Sequence, residues 1–293
     1  MDEAAFLSTV ERLRAGVERR LGDLLPPDGQ APAALTGAAR YALLSPGKRF
    51  RPVLTLLTAA DFGAPDGAAL DAACAYEMVH TASLILDDLP SMDDAALRRG
   101  LATTHRAFDE ASAVLAAVAL LNRAYGVIAD DARLAEAARV ELVAHLSETV
   151  GFRGLTAGQA RDLARRGQTL TNDEIDLVNH QKTGVLLVAA AVAGALIAGV
   201  RGVRLAAVAE SARRLGLAFQ IRDDLLDAAG QDGKDAGKDA GLPTLVTTLG
   251  EHGAREAMHG YLSAAYDALQ PAGGTMSAWR YAASFFDAPK VAA

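Results

Sequence analysis

A single cysteine, Cys74, stands among 293 residues, so no intrachain disulfide can staple the fold. Its neighbours Ala72, Ala73 and Ala75 make it a small core residue. Aromatics are scarce at 5%, alanine is abundant, and no segment alternates as a strand does; close-packed helices are expected instead of sheet. An excess of basic residues is also missing. Against 36 Asp and Glu there are 29 Lys and Arg, a formal charge of −7 that argues against a nucleic-acid partner. The one long uncharged run, residues 183–200, only reaches the lower limit for a membrane span. It is rich in Ala and Gly and bracketed by Lys182 and Arg201, so a buried central helix is expected and no membrane span. The start of the chain carries Asp2 and Glu3 and no basic-then-apolar signal pattern, which fits a cytoplasmic enzyme. No fixed-period repeat or low-complexity linker divides the sequence. With 51% hydrophobic residues there is ample material for a core, and the expectation is one all-α domain over residues 1–293.

Helical apolar spacing and breaker residues set the expected elements. They are 3–25, stopped by Pro26-Pro27; 31–44, stopped by Ser45-Pro46-Gly47; a helix with Pro52 in its first turn, running to about Phe62; and 66–88. Helices at 106–130, 132–149 and 158–166 follow. Thr171-Asn172-Asp173-Glu174 has the form of a capping box and starts another. A helix over 203–228, a Gly-, Asp- and Lys-rich loop over 230–241, and helices over 251–269 and 276–287 complete the chain.

Two acidic clusters lie in apolar surroundings. The first runs Leu86-Asp87-Asp88-Leu89-Pro90-Ser91-Met92-Asp93-Asp94, the second Gln220-Ile221-Arg222-Asp223-Asp224-Leu225-Leu226-Asp227. Carboxylates bunched at a core boundary repel one another and lose solvation unless something positive compensates them. Asp223 and Asp227 share a helix face, with Asp224 beside them. Pro90 breaks the first helix after Asp88, which lets Asp93 swing back. Oxygen ligands without Cys or clustered His favour a hard cation, and Mg²⁺ shares its shell between a few carboxylates and substrate phosphates. The basic groups Lys48, Arg49 and Arg51, then Arg98 and Arg99, suit a small anion such as a diphosphate. Taken singly, each cluster also reads as a solvated acidic helix end, Lys48 and Arg51 as a surface loop, and His80 as a satisfied core histidine. A Ca²⁺ loop does not fit the ligand spacing.

These motifs resemble those of the trans-polyprenyl diphosphate synthases. The first cluster is similar to the family's longer aspartate-rich form, DDxxxxD, and the second to DDxxD. Pro46-Gly47-Lys48-Arg49-Phe50-Arg51-Pro52 resembles GKRxRP. His80, Arg98-Arg99-Gly100, Gly158-Gln159 with Asp162, Lys182-Thr183 and Phe219-Gln220 occur in the family's order. The likeness spans about residues 30–250 and is nearest to bacterial geranylgeranyl diphosphate synthases of carotenoid pathways. It implies a single-domain orthogonal helical bundle of the isoprenoid synthase type with a central cavity, and a homodimer. It implies head-to-tail condensation of isopentenyl diphosphate with dimethylallyl, geranyl or farnesyl diphosphate. By resemblance Asp87, Asp88, Asp93, Asp223 and Asp227 hold about three Mg²⁺ ions, with Mn²⁺ as a substitute. Arg98, Lys182 and Lys234 contact the allylic diphosphate, Thr183 and Gln220 assist near the reacting carbon, and Lys48, Arg51, His80 and Arg99 bind isopentenyl diphosphate.

The sequence departs from the family at Leu101 and Leu242, where lysines are usual. Five residues before Asp87, where farnesyl-making bacterial enzymes usually carry an aromatic, stands Ala82, followed by Ser83; small residues there favour a C20 product. The alternatives are a farnesyl diphosphate synthase, a terpene cyclase, against which the GKRFRP segment argues, and a non-catalytic synthase-like partner subunit.

Overall fold

The computed structural model describes residues 2–164, 174, 177–178, 180–228 and 245–286, without the side chains of Thr183, Asp227 and Ala228. The capping-box residues 171–173 and the loop 230–241, with Lys234 and Leu242, lie outside the described residues.

Twelve α-helices are named here among the described residues: α1 Glu3–Leu24, α2 Ala33–Leu43, α3 Phe50–Asp61, α4 Leu70–Asp87, α5 Thr104–Ala107, α6 Glu110–Ala129, α7 Glu136–Val150, α8 Leu155–Ala164, α9 Val185–Ile197, α10 Gly202–Ala228, α11 Leu245–Leu269 and α12 Ser277–Ala283. Local chemistry sets many of their ends. The Asp2 carboxylate accepts from the Ala5 N–H at 2.8 Å and starts α1. Pro52 occupies the first turn of α3, where its missing N–H costs nothing. Helix α4 stops at Asp87, with Asp88 as its cap and Pro90 two residues beyond.

Three expectations need correction. The helix expected over 106–130 is broken: Asp109 is extended (φ −157°) and caps α6 by accepting from the Ser112 N–H. Leu97–Arg98 (β1) and Leu101–Ala102 (β2) form an antiparallel ribbon where no strand was expected. The uncharged run does not begin as α-helix; His180–Gly184 forms a π-helical turn that leads into α9. Elsewhere the shifts are small. Helix α11, for example, starts at Leu245 and kinks at Gly250 (φ 73°), next to the expected start.

Helix α9 is the centre of the molecule. Leu186, Ala189, Val192 and Ala193 join a core shared with α1, α2, α4, α6 and α7. Leu187, Ala191 and Ala195 join a second core with α3, α10 and the C-terminal segment. A helix that is apolar all round is buried all round, as expected for this run. Close approach needs Gly194, where an added Cβ would lie 2.3 Å from the Thr55 carbonyl oxygen. The Thr55 hydroxyl donates to the Ala190 carbonyl at 2.9 Å and fixes that crossing.

Candidate active site

The C-terminal end of α4 supplies the first wall. Beyond Pro90 the chain folds back, so that the Asp93 N–H donates to the Asp87 carbonyl at 2.9 Å and the Ala95 N–H to that of Asp88 at 3.2 Å. Burial raises the Asp87 pKa from 3.8 to about 6; Lys182 and Arg98 oppose the rise, while Asp93 and Asp88 add to it. Asp88 is 3% exposed and pairs with Arg98, whose guanidinium donates to it at 2.6 and 2.8 Å. The sequence reading sent Arg98 to a diphosphate and Asp88 to a metal; in the fold they hold each other.

The Arg-Arg-Gly segment has a local reason. Leu97 pairs with Ala102 and Arg98 with Leu101, so Arg99 and Gly100 are the two turn residues of a hairpin. Both have positive φ, 53° and 77°. A two-residue turn of this hand follows strand twist, and Gly is favoured at such a position. The turn sets Arg98 beside α4, while the Arg99 guanidinium donates to the Pro46 carbonyl at 3.2 Å. Leu101 is 40% exposed on the ribbon.

The segment Gly47–Pro52 divides its three cations. Arg49, at φ 47°, turns inward, is 3% exposed and donates to Glu77 of α4 at 3.0 Å. Glu77 was not singled out in the sequence, where it is a lone acid in an apolar run. Arg51 reaches His80, with Nη1 and Nε2 3.2 Å apart. A guanidinium only donates, so Nε2 is the accepting nitrogen of a neutral imidazole. Burial, then Arg51, Arg99, Arg98 and Arg49, hold the His80 pKa well below 6.5. Burial also works against the charge of Arg51, which Glu77 and Asp223 support. At the rim, desolvation, with Arg222 and Arg99, lowers the Lys48 pKa while Asp223 opposes.

A third group comes from the π-helical turn. Gly158 of α8 lets that turn close in, since a Cβ would lie 2.5 Å from the Lys182 backbone nitrogen. Lys182 consequently donates to Asp162 at 2.6 Å. Desolvation disfavours its charge, but Asp162, Asp87 and Asp93 outweigh that, and its pKa stands above 10.5. Lys182 therefore lies within electrostatic reach of the Asp87 wall. On α10, Gln220 donates to Asp224 at 2.8 Å and Arg222 pairs with Asp223 at 3.1 Å. The side chains of Asp227 and Thr183, and all of Lys234, lie outside the described residues. Asp223 lies within electrostatic reach of Lys48 and Arg51.

Among the described residues no three Asp, Glu, His or Cys side chains lie close enough together to hold a metal ion. The donor set still fits a hard cation: oxygen ligands only, with the charge of Asp87 disfavoured by burial and by its acidic neighbours. A divalent ion would offset that cost.

On α4, 100° per residue places His80, Tyr76 and Ser83 each within about 40° of Asp87, whereas Ala82 lies about 140° from it. Ala82 is wholly buried. Tyr76 is also wholly buried, and its hydroxyl lies 2.8 Å from His145 Nδ1 of α7. One flank of this stripe, with Glu77 and His80, meets Arg49 and Arg51 at the start of α3; on the other, Tyr76 meets His145 of α7.

Comparison with known proteins follows the same lines. The sequence model of the family described as Polyprenyl synthetase matches residues 32–257. The chain is 44% identical over 266 residues to a geranylgeranyl diphosphate synthase of Pantoea ananas, covering 89% of this chain and 87% of that protein. It is 42% identical over 253 residues to a farnesyl diphosphate synthase of Geobacillus stearothermophilus, covering 83% and 84%. Among solved structures, an FPP/GFPP synthase from Zymomonas mobilis superposes with a TM-score of 0.87 at 33% identity, over 97% of this chain and 99% of that one. A geranyltransferase from Legionella pneumophila gives 0.84 at 28%, over 97% and 96%.

Proposed function

The chain belongs to the polyprenyl synthetase family, and from that premise we propose that it condenses isopentenyl diphosphate with allylic diphosphates to make geranylgeranyl diphosphate. The single observation that carries the reading is the placement of Lys182, which pairs with Asp162 within electrostatic reach of both Asp87 and Asp93. A carboxylate wall opposed by a fixed ammonium is what a metal-bound diphosphate leaving group needs.

The family depends on Mg²⁺, and Asp87, Asp93, Asp223 and Asp227 are the residues to hold it, Asp88 joining them if Arg98 lets it go. When bound, Mg²⁺ draws negative charge from the departing diphosphate. The chain's own groups do the rest. Lys182 and Arg98 take up charge on the allylic diphosphate as its C–O bond breaks. Lys48, Arg51 and Arg99 hold isopentenyl diphosphate, and neutral His80 orients Arg51. The alkene of isopentenyl diphosphate attacks the allylic cation, one C–C bond forms, and the proton lost next passes to the released diphosphate. Gln220 positions Asp224 on the opposite helix. Thr183 and Lys234 keep their roles near the reacting carbon and the leaving diphosphate by family likeness alone.

Depth along α4 supports the C20 product. Tyr76 lies eleven residues before Asp87, about 16 Å down the helix axis. Each isoprene unit adds four chain bonds, about 5 Å when extended. A farnesyl tail of three units therefore fits between Asp87 and Tyr76, whereas a geranylgeranyl tail, about 20 Å long, cannot return as primer. Small Ser83, on the same face, leaves the upper part open; Ala82, expected to share that role, lies about 140° off this face. The C20 reading is further supported by the 44% identity to the Pantoea ananas geranylgeranyl diphosphate synthase.

A homodimer is supported by α6, whose outer face exposes Val114, Leu115 (58%) and Val118 (55%). This helix is long and apolar enough to cross a membrane by length and composition. Its opposite face, with Ala113, Ala116, Ala117 and Leu120, is buried in the core, which favours a second copy over a bilayer as the cover. One domain is supported by α1, which contributes Phe6 to one core and Val17 and Leu21 to the other. A cytoplasmic place rests on the family. The test is an assay with farnesyl diphosphate, isopentenyl diphosphate and Mg²⁺. A C20 diphosphate with one isopentenyl unit consumed per farnesyl is expected; no turnover with any allylic primer contradicts the enzyme reading.

A further inference from the structure

Helix α12 and the residues after it bring five aromatic rings together beside Lys48. Phe50 of α3 stacks on Tyr281 with ring centroids 5.3 Å apart, and meets Phe285 edge-on at 4.8 Å and Phe219 of α10 at 4.6 Å. Phe286 packs on Phe219 at 4.8 Å. Aromatics make up only 5% of the chain, so this concentration is unusual within it. The cluster is pinned in place. Asp61 at the end of α3 accepts from the Ser277 and Ala278 N–H groups at 2.9 and 2.8 Å and from the Thr275 hydroxyl. Arg280 pairs with Glu3 and lies over the Phe6 ring, which ties α12 to α1.

Phe50 and Phe219 sit inside the segments that carry Arg51 and Gln220, so the cluster joins two walls of the cleft. Its outer ring, Phe285, lies under the Lys48 ammonium, 5.5 Å from the ring centroid. That distance is within cation–π range. Arg99 and Arg222 push on the Lys48 charge, and Asp223 draws it in. An exposed lysine on a flexible stem would otherwise turn to water.

We propose that Phe285 is a positioning residue for isopentenyl diphosphate binding: its ring holds the Lys48 ammonium at the cleft, and the C-terminal segment is thereby a wall of that subsite. The proposal rests on reading Lys48 as a ligand of isopentenyl diphosphate. No bond is made or broken through Phe285, so its effect belongs in KM for one substrate.

Steady-state kinetics on the full chain test it. Phe285→Leu should raise KM for isopentenyl diphosphate about 5-fold, with kcat within twofold and KM for farnesyl diphosphate unchanged. Phe285→Tyr should behave as the native protein. In a Lys48→Ala background Phe285→Leu should add nothing. If Phe285→Leu melts early, Phe285→Met keeps the volume and removes the ring. Equal rises in both KM values, no rise in either, or a full additional factor in the Lys48→Ala background would overturn the proposal alone. A Lys48→Ala variant with an unchanged isopentenyl KM would overturn the reading of Lys48 and the proposal with it.

Discussion

Burial, with Asp93 and Asp88 nearby, lifts the Asp87 carboxyl from 3.8 to about 6, so the folded chain holds its charge at a cost when no cation is bound. The sign is fixed by linkage. A carboxyl with a raised folded pKa binds a proton more readily folded than unfolded, so the cost is full above pH 6 and fades as pH falls toward 3.8. At most the cost is roughly 3 kcal/mol, less for a half-buried group. Asp87→Asn removes it. Without Mg²⁺ the variant should melt a few degrees higher at pH 7.5 and close to the native protein at pH 4, while kcat falls by about two decades or more. Calorimetry and a turnover assay check both; a lower melting temperature at pH 7.5 or near-normal turnover would contradict the account. At this scale the sequence showed that charges were clustered but not their directions. Lys48, Arg49 and Arg51 are near neighbours in one basic segment, yet only the fold turns Arg49 to Glu77 and Arg51 to His80. Likewise Arg98 and Asp88 read as ligands of separate groups until the hairpin turn brings them together.

Helix α4 sets the proposed tail pocket along one stripe. Asp87, Ser83 and Tyr76 share a face, and the Tyr76–His145 pair lies about 16 Å below the acidic end. On the proposal that Tyr76 closes the tail pocket, Tyr76→Ala should extend the product to C25 and beyond, whereas Tyr76→Phe, which keeps the ring and loses the hydrogen bond, should retain C20. Mass analysis of the products distinguishes these; an unchanged C20 product from Tyr76→Ala would show that the pocket ends elsewhere. The helices were legible in the sequence where a breaker or cap acts locally, as at Pro26-Pro27, Pro46 and Pro90. They were not legible where the deciding contact is distant. The π-helical turn closes against Gly158 and Gly216 from α8 and α10, and each strand of the Leu97–Ala102 ribbon is two residues long, too short for alternation to register. Asp109 did carry a local signal, an acidic cap three residues before Ser112, within a stretch whose alanines read as one helix.

At the scale of the molecule, α9 was legible as a buried centre because nothing in residues 183–200 could face water. The outer face of α6 was not, since apolar residues in a helix read alike whether a core or a second copy covers them. A homodimer closed over Val114, Leu115 and Val118 should sediment at twice the 30.4 kDa of one chain. Val118→Glu, which buries unpaired charge at that face, should give monomers; an unchanged mass would place the interface elsewhere. The central claim is that one cleft ionises an allylic diphosphate at Asp87 and stops elongation one isoprene beyond farnesyl. Its most direct test is full elongation from dimethylallyl diphosphate with excess isopentenyl diphosphate and Mg²⁺, followed to completion by mass spectrometry. The account predicts that C10 and C15 pass through and C20 accumulates; accumulation of C15, or a spread of products past C20, would contradict it.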